Sequence, residues 1–271
     1  MSRAHYAILG AGKVGVALHR AIRAAKMPCK LVPARQVNEH TTWRASLLIL
    51  AVRDPEVTTW AQRLAAWGTV PSSTAVVHLS GVLPSSVLEP LRAGVGVAQM
   101  HPLLSFAAID APPSFEGAHM HLEGDVEAVR RARKLASLLG MKPRVMTHVD
   151  PAGYHAAAAM LANGSAAVAS AAIEVLVNAG VERSLAPKML APLLRSVASN
   201  LEVLGMPTAL TGPVRRGSVS TVERHLEVVG QAGDGVAALY KALVLAQIPI
   251  ARAIGETSNE SLTEIEQRIA R

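Results

Sequence analysis

Several groups that would announce a function are scarce in this 271-residue chain. Its one cysteine, Cys29, excludes an internal disulfide framework and a thiolate metal cluster, and fits a reducing cytoplasmic setting. Ten histidines are present but none at metal-ligand spacing, so no metal site is expected. Aromatic residues make up 3% of the chain, too few for a platform on which bases stack. Charged residues reach only 17% against 50% hydrophobic, which excludes a disordered chain. The opening Met-Ser-Arg-Ala-His runs straight into an apolar strand, so no signal peptide is expected.

The net charge of +7 comes from basic residues scattered along the whole length. Without a dense block or a DNA-binding motif they predict no nucleic-acid partner; a basic surface favours anionic cofactors and small anionic substrates instead. Residues 156–173 carry no charge and are long enough to suggest a membrane span. The stretch is rich in Ala and Ser and holds Asn163 and Gly164, where a lipid-facing helix would favour Leu, Ile and Phe. It reads as a buried helix at a subunit interface, which predicts a homodimer and no membrane partner.

What the chain does have is concentrated near its start. An apolar strand at 5–9 turns into Gly10-Ala11-Gly12-Lys13-Val14-Gly15 and then into helical spacing over 14–26. Gly10 suits a tight turn, Gly12 lets a pyrophosphate approach the backbone, and Gly15 lets helix and strand pack closely. Unpaired N–H groups at the helix start then face the anion. This combination predicts dinucleotide binding. After the second strand, Ala34-Arg35-Gln36 offers a guanidinium where NAD-binding versions place a carboxylate. Arg35, with Arg44 as a second contact, therefore points to NADP over NAD.

Strand and helix patterns alternate to about residue 150, with strands at 30–33, 45–52, 74–78, 95–100, 119–122 and 144–147. Asp54 is expected to cap the helix after the third strand, with Pro55 at its first position. From Pro151 onward the patterns are helical almost throughout, and Ser261-Leu262-Thr263-Glu264 reads as a capping box for the last helix. The expected fold is α/β, a doubly wound parallel sheet over 1–150, followed by an all-α domain over 151–271 that carries substrate and dimer contacts.

Ligands of doubly wound sheets collect beyond the carboxyl ends of the strands. Val52, Arg53 and Asp54 would border the cofactor there. Ser80 and Gly81 could bond a substrate oxygen. His101 is the acid/base candidate, on a loop stiffened by Pro102, although an ordinary loop histidine fits the same pattern. In the helical half His155 and Asn163, eight positions apart, need partners in a core or a ligand cleft. Thr211 and Arg216 suit a substrate carboxylate, whereas Arg215 reads equally as a solvated turn.

These residues together resemble a bacterial family that joins a Rossmann-like NADP-binding domain to a helical C-terminal domain of unknown function. The motifs that carry the resemblance are the glycine turn, His78-Leu79-Ser80-Gly81, His101-Pro102-Leu103-Leu104-Ser105-Phe106, Tyr154-His155-Ala156-Ala157-Ala158, and Ala209-Leu210-Thr211-Gly212-Pro213 through Arg216-Gly217. Thr221-Val222 with His225-Leu226 completes the set. That family is similar to the 6-phosphogluconate-dehydrogenase-like superfamily, which includes prephenate dehydrogenases, ketopantoate reductases and pyrroline-5-carboxylate reductases. The resemblance implies an acid/base role for His101, as in the His-Pro pair of prephenate dehydrogenases, and a match for Ser80. It also implies a Lys-x-x-x-Asn pair on the interdomain helix; Asn163 fills the second place but Ala159 stands in the first. The implied activity is an NADP-dependent reduction of a small carbonyl in the interdomain cleft, with a ketopantoate-like 2-oxo acid as the specific substrate. The missing lysine leaves a second reading, an NADP-binding sensor or assembly protein without turnover.

Overall fold

The computed structural model describes residues 5–270. The chain divides between Ala162 and Asn163 into two compact units. The first contains β1 (Tyr6–Leu9), α1 (Lys13–Ala24), β2 (Cys29–Val32), β3 (Leu47–Leu50), α2 (Asp54–Trp67), β4 (Ala75–His78), β5 (Val97–Pro102), β6 (His119–Gly124), α3 (Val126–Leu138) and β7 (Lys142–Val145). The strands form one sheet in the order β2-β1-β3-β4-β5-β6-β7.

Strands β1 to β5 are mutually parallel, as expected for a doubly wound sheet. The sheet is not wholly parallel: β6 runs antiparallel to β5, and β7 is parallel to β6. Alternation along each strand feeds two separate cores. On one face Ile8, Leu47, Ile49, Val77, Met100 and Leu122 meet Leu18 and Ile22 of α1 and Leu135 of α3. On the other, Leu9, Leu48, Leu50, Val76 and Val97 meet Val57, Trp60 and Leu64 of α2. The apolar run in β3 is buried at every residue, as a central strand covered on both faces requires. The edge strand β7 contains Pro143, whose missing N–H is tolerated there.

Three local expectations are corrected. Asp54 is the first residue of α2 and does not cap it; Arg53 holds the cap position, and the Glu56 carboxylate accepts the Arg53 backbone N–H at 3.3 Å. Strand β5 extends through His101 and Pro102, so His101 lies on a strand and not on a loop. Pro102 is accommodated because it is the last residue of the strand. The last helix starts earlier than the Ser261 capping box predicts, because the Ser258 hydroxyl accepts the Ser261 N–H at 3.2 Å.

Helix α4 (Pro151–Asn178) starts in the first unit and continues into the second. The second unit adds α5 (Ala186–Leu204), α6 (Val219–Gln231), α7 (Asp234–Ile254) and α8 (Asn259–Ala270). Helices α6, α7 and α8 pack together around Val222, Val244, Ile248, Leu262 and Ile265. No residue of helix α4 is fully buried within the chain, although Tyr154, His155 and others along it are half-buried. By length and composition α4 and α7 could each cross a membrane; α7 nonetheless places Val244, Ile248 and Ala251 in a protein core.

Candidate active site

The carboxyl ends of β1, β3, β4 and β5 lie side by side along one edge of the sheet, and the functional candidates of the first unit gather there. The turn after β1 is anchored by the Gly10 N–H donating to the Val32 carbonyl at 2.9 Å. Gly10 has φ +116°, and a Cβ there would run into the Ala51 carbonyl, with Val52 beside it. A Cβ at Gly15 would strike the Gly10 carbonyl. A Cβ at Gly12 would meet nothing within 4 Å, so this side of the turn is open.

Gly12 caps α1 with extended backbone and no side-chain partner, and the first turn of α1 has no acidic residue. The N–H groups of Lys13, Val14 and Gly15 are thus left for an anion, reinforced by the helix dipole. Ala11 is half-buried, and the Lys13 side chain is exposed at the same rim. The donor set and the open face at Gly12 fit a pyrophosphate. Arg35 is exposed on a short 3-10 turn, Ala34–Gln36, just beyond β2. After β3, Val52 and Asp54 are half-buried, and the exposed Arg53 guanidinium pairs with Glu56 at 2.9 Å.

Next along the edge is a cluster of imidazoles. His78, His101 and His121 occupy alternate positions on β4, β5 and β6 that face the α2 side of the sheet, and His101 pairs with His121 across β5 and β6. His78 is fully buried, with Nε2 3.2 Å from the Pro84 carbonyl. The Nδ1 atoms of His78, His101 and His121 are buried without a hydrogen-bond partner. The first turns of α4 add two rings to the cluster. Tyr154 stands edge-on to His101 with centroids 5.7 Å apart, and against His121 at 5.0 Å; His155 is 6.3 Å from His101.

Gly81 closes the cluster. A Cβ there would lie 2.7 Å from His101 Nε2 and 2.9 Å from the His155 ring, so only glycine leaves room for both imidazoles. The Ser80 hydroxyl accepts the Val82 and Leu83 N–H groups at 3.3 Å each, which leaves its own hydrogen free to donate. The Gln99 side chain donates to the Ser80 carbonyl at 2.8 Å and ties this turn to β5.

Electrostatics follow from burial. Desolvation pushes His101 down to about 4, and the neighbouring His155, His121 and His78 add to that, while Asp54 opposes it. Desolvation also takes His78 down to about 4, against the Pro84 carbonyl, Asp54 and Glu123. Tyr154 is pushed up from its ordinary value by burial. At neutral pH the cluster therefore holds an uncharged His101 beside a protonated phenol.

The remaining candidates lie in the second unit. Asn163, Thr211 and Arg216 are exposed. Arg215 is neither a solvated turn residue nor free for substrate. Its guanidinium bonds Glu256 and the carbonyls of Thr208 (3.0 Å) and Leu210 (2.7 Å), and so shapes the loop that presents Thr211 and Arg216. His225 Nδ1 lies 2.8 Å from the Tyr240 hydroxyl. Sequence reasoning gave no role to His121 or Tyr154. The alternation His119-Met120-His121-Leu122 was the available signal for His121, but the antiparallel pairing that sets it beside His101 is not written in local sequence. Among the described residues no three His, Cys, Asp or Glu side chains gather as a metal site needs.

Residues 1–102 match the model of a Rossmann-like domain, and residues 118–247 match the domain of unknown function DUF2520. The chain joins these two domains. No curated protein matches it in sequence. Among solved structures the Rossmann-like and helical parts together resemble a protein from Thermotoga maritima. The two are 22% identical at a TM-score of 0.64, covering 92% of this chain and 98% of the other. A reductive aminase from Aspergillus terreus, solved with NADPH and ethyl levulinate, is 17% identical with a TM-score of 0.62, covering 98% and 99%. Pyrroline carboxylate reductase from Plasmodium falciparum, solved with NADP bound, is 12% identical with a TM-score of 0.60, covering 90% and 99%. At these identities the likeness is one of fold.

Proposed function

We propose that this protein is an NADP-dependent oxidoreductase acting on the carbonyl or imine carbon of a small anionic molecule. One observation carries the reading: a single sheet edge presents both an open glycine cradle and, two strands further on, a desolvated imidazole cluster. The named cofactors of the Aspergillus and Plasmodium proteins, which share the fold, support it. When bound, the nicotinamide would supply or accept the hydride.

The chain's own residues do the rest. Gly10, Ala11, Gly12, Lys13, Val14 and Gly15 hold the pyrophosphate, Arg35 holds the 2′-phosphate, and Val52, Arg53 and Asp54 border the nucleotide. His101 and His155 handle the proton, and Ser80 donates to the substrate oxygen beside Gly81. Asn163, Thr211 and Arg216 orient the anionic group. A ketopantoate-like 2-oxo acid is the first substrate to try. The sensor reading rests on Ala159 standing where related dehydrogenases place lysine, and it predicts nucleotide binding without turnover.

Titration calorimetry with NADPH and NADH tests the binding half of the proposal. A guanidinium–phosphate contact contributes roughly 1.5–3 kcal/mol, so Arg35→Ala should weaken NADPH binding about 10- to 100-fold while changing NADH binding little. No heat with either nucleotide would end this reading.

A second copy of the chain is the proposed cover for α4 and α5. Their exposed apolar residues include Met160, Leu161, Met189, Leu193 and Leu194. Residues 156–173 carry no charge, so two copies meeting there bring no like charges of α4 into contact.

A further inference from the structure

In the reductive direction a carbonyl oxygen must gain a proton as its carbon gains hydride, and His101 is poorly furnished to give one. With its imidazole held near 4, roughly 1 in 1,000 molecules carries the second proton at pH 7. Ala159, on the same helix, has no proton to give. A protonated acid stands within the same cluster. Tyr154 is half-buried one turn into α4, wedged between His101 and His121, and its hydroxyl has no hydrogen-bond partner among the described residues. That hydroxyl reaches accessible space, whereas the His101, His121 and His78 Nδ1 atoms are buried.

We propose that Tyr154 is the general acid of this site, its ring seated by those of His101 and His121. The assignment rests on the oxidoreductase reading above. The step balances simply. The phenol O–H breaks as the substrate O–H forms and the C=O π pair moves onto oxygen, while a bound reduced nicotinamide would supply the hydride for the new C–H bond. The phenolate left behind regains its proton from water, with the half-exposed His155 beside His101 as the route. Burial keeps the phenol protonated, and so able to donate, across the neutral range. In the oxidative direction the Tyr154 phenolate takes the proton from the alcohol.

The test uses the full-length protein, NADPH, and a panel of 2-oxo acids and cyclic imines, alongside calorimetry with NADPH alone. Tyr154→Phe keeps the ring that packs between the histidines and removes only the hydroxyl. The expected result is a kcat about 100-fold or more below wild type, in line with loss of a general acid. KM and NADPH affinity should stay within about twofold, and the alkaline limb of the pH–rate profile should disappear. Difference absorbance at 295 nm between wild type and Tyr154→Phe should place the phenol's titration above 10. A kcat within threefold of wild type, or an unchanged alkaline limb, overturns the proposal. Wild type that reduces nothing also overturns it. In that case intact NADPH binding marks failure of turnover, and absent binding marks failure of the nucleotide reading itself. His121→Phe supplies a packing control: it should lower kcat less than Tyr154→Phe and retain the alkaline limb.

Discussion

The two units solve the burial problem in opposite ways. In the Rossmann-like unit, β3 is buried at all four residues between α1 and α3 on one side and α2 on the other. Among the described residues, the second unit has a self-contained core where α6, α7 and α8 meet. Its α5 has a single buried residue, Ala186, while Leu193 and Val203 are 59% and 76% exposed. Apolar content is similar along the chain, so the difference lies in what covers it. One unit is finished by its own helices; the other presents a face that calls for another molecule.

The largest expected effect would break or confirm that contrast directly. Leu64, packed against the α2 face of the sheet and 1% exposed, should cost about 3 kcal/mol when truncated to Ala, read from urea unfolding. Leu194→Ala, at a residue 48% exposed in one chain, should cost within about 0.5 kcal/mol if that residue stays uncovered. In a dimer the same truncation should cost more, and the cost should grow with protein concentration. Leu194→Asp should convert the dimer to monomer in sedimentation without lowering the stability of the Rossmann-like unit. Wild type sedimenting as a monomer at all concentrations would remove the second copy from the account.

A pH series sharpens the comparison from the other side, because the deeply desolvated histidines belong to the first unit. His78 and His101 are both taken down to about 4, chiefly by burial. Between 6.5 and 4 the unfolded chain binds protons that the folded chain refuses, so stability is complete above 6.5 and is lost as pH falls toward 4. The shift of each corresponds to roughly 3 kcal/mol at full protonation, an upper bound where the imidazoles repel one another. Glu127, held near 2 by Arg130 and Arg131, keeps its charge across this window and does not confuse it. His78→Gln retains a donor for the Pro84 carbonyl and removes one titration, so it should roughly halve the fall in urea midpoint between pH 7 and 4.5.

How far sequence could anticipate these sites depended on the range of the interaction. The glycine turn was legible because Gly10 and Gly15 answer to contacts within a single β-α unit, and Leu47–Leu50 because a continuous apolar run means a strand covered on both sides. His101 was placed on a loop that Pro102 stiffens, yet Pro102 is the last residue of β5, where the missing N–H is tolerated. Tyr154, seen only as part of a motif, and His121 were given no role because their meeting depends on β6 reversing direction beside β5. The uncharged run of α4 was read as buried, a sound inference about what the helix prefers. Among the described residues that helix is at most half-buried.

The smallest expected effect concerns how α8 begins, and here two sequence features compete. Glu264 was the glutamate of the expected capping box, but its carboxylate bonds Arg268 one turn on, an exposed i,i+4 pair of about 0.3–0.5 kcal/mol. The cap is Ser258, whose hydroxyl takes the Ser261 N–H, while Leu262 donates to the Ser258 carbonyl at 3.3 Å. Starting at Asn259, α8 brings Leu262, Ile265 and Ile269 into the core that α6 and α7 complete. Fraying of its first turn therefore loosens that core. Ser258→Ala should cost about 1 kcal/mol, seen as faster amide exchange along α8, with the sheet amides unchanged. Glu264→Gln should cost under about 0.5 kcal/mol. The reverse order would return the helix start to Ser261 and shorten the only core that the second unit builds for itself among the described residues.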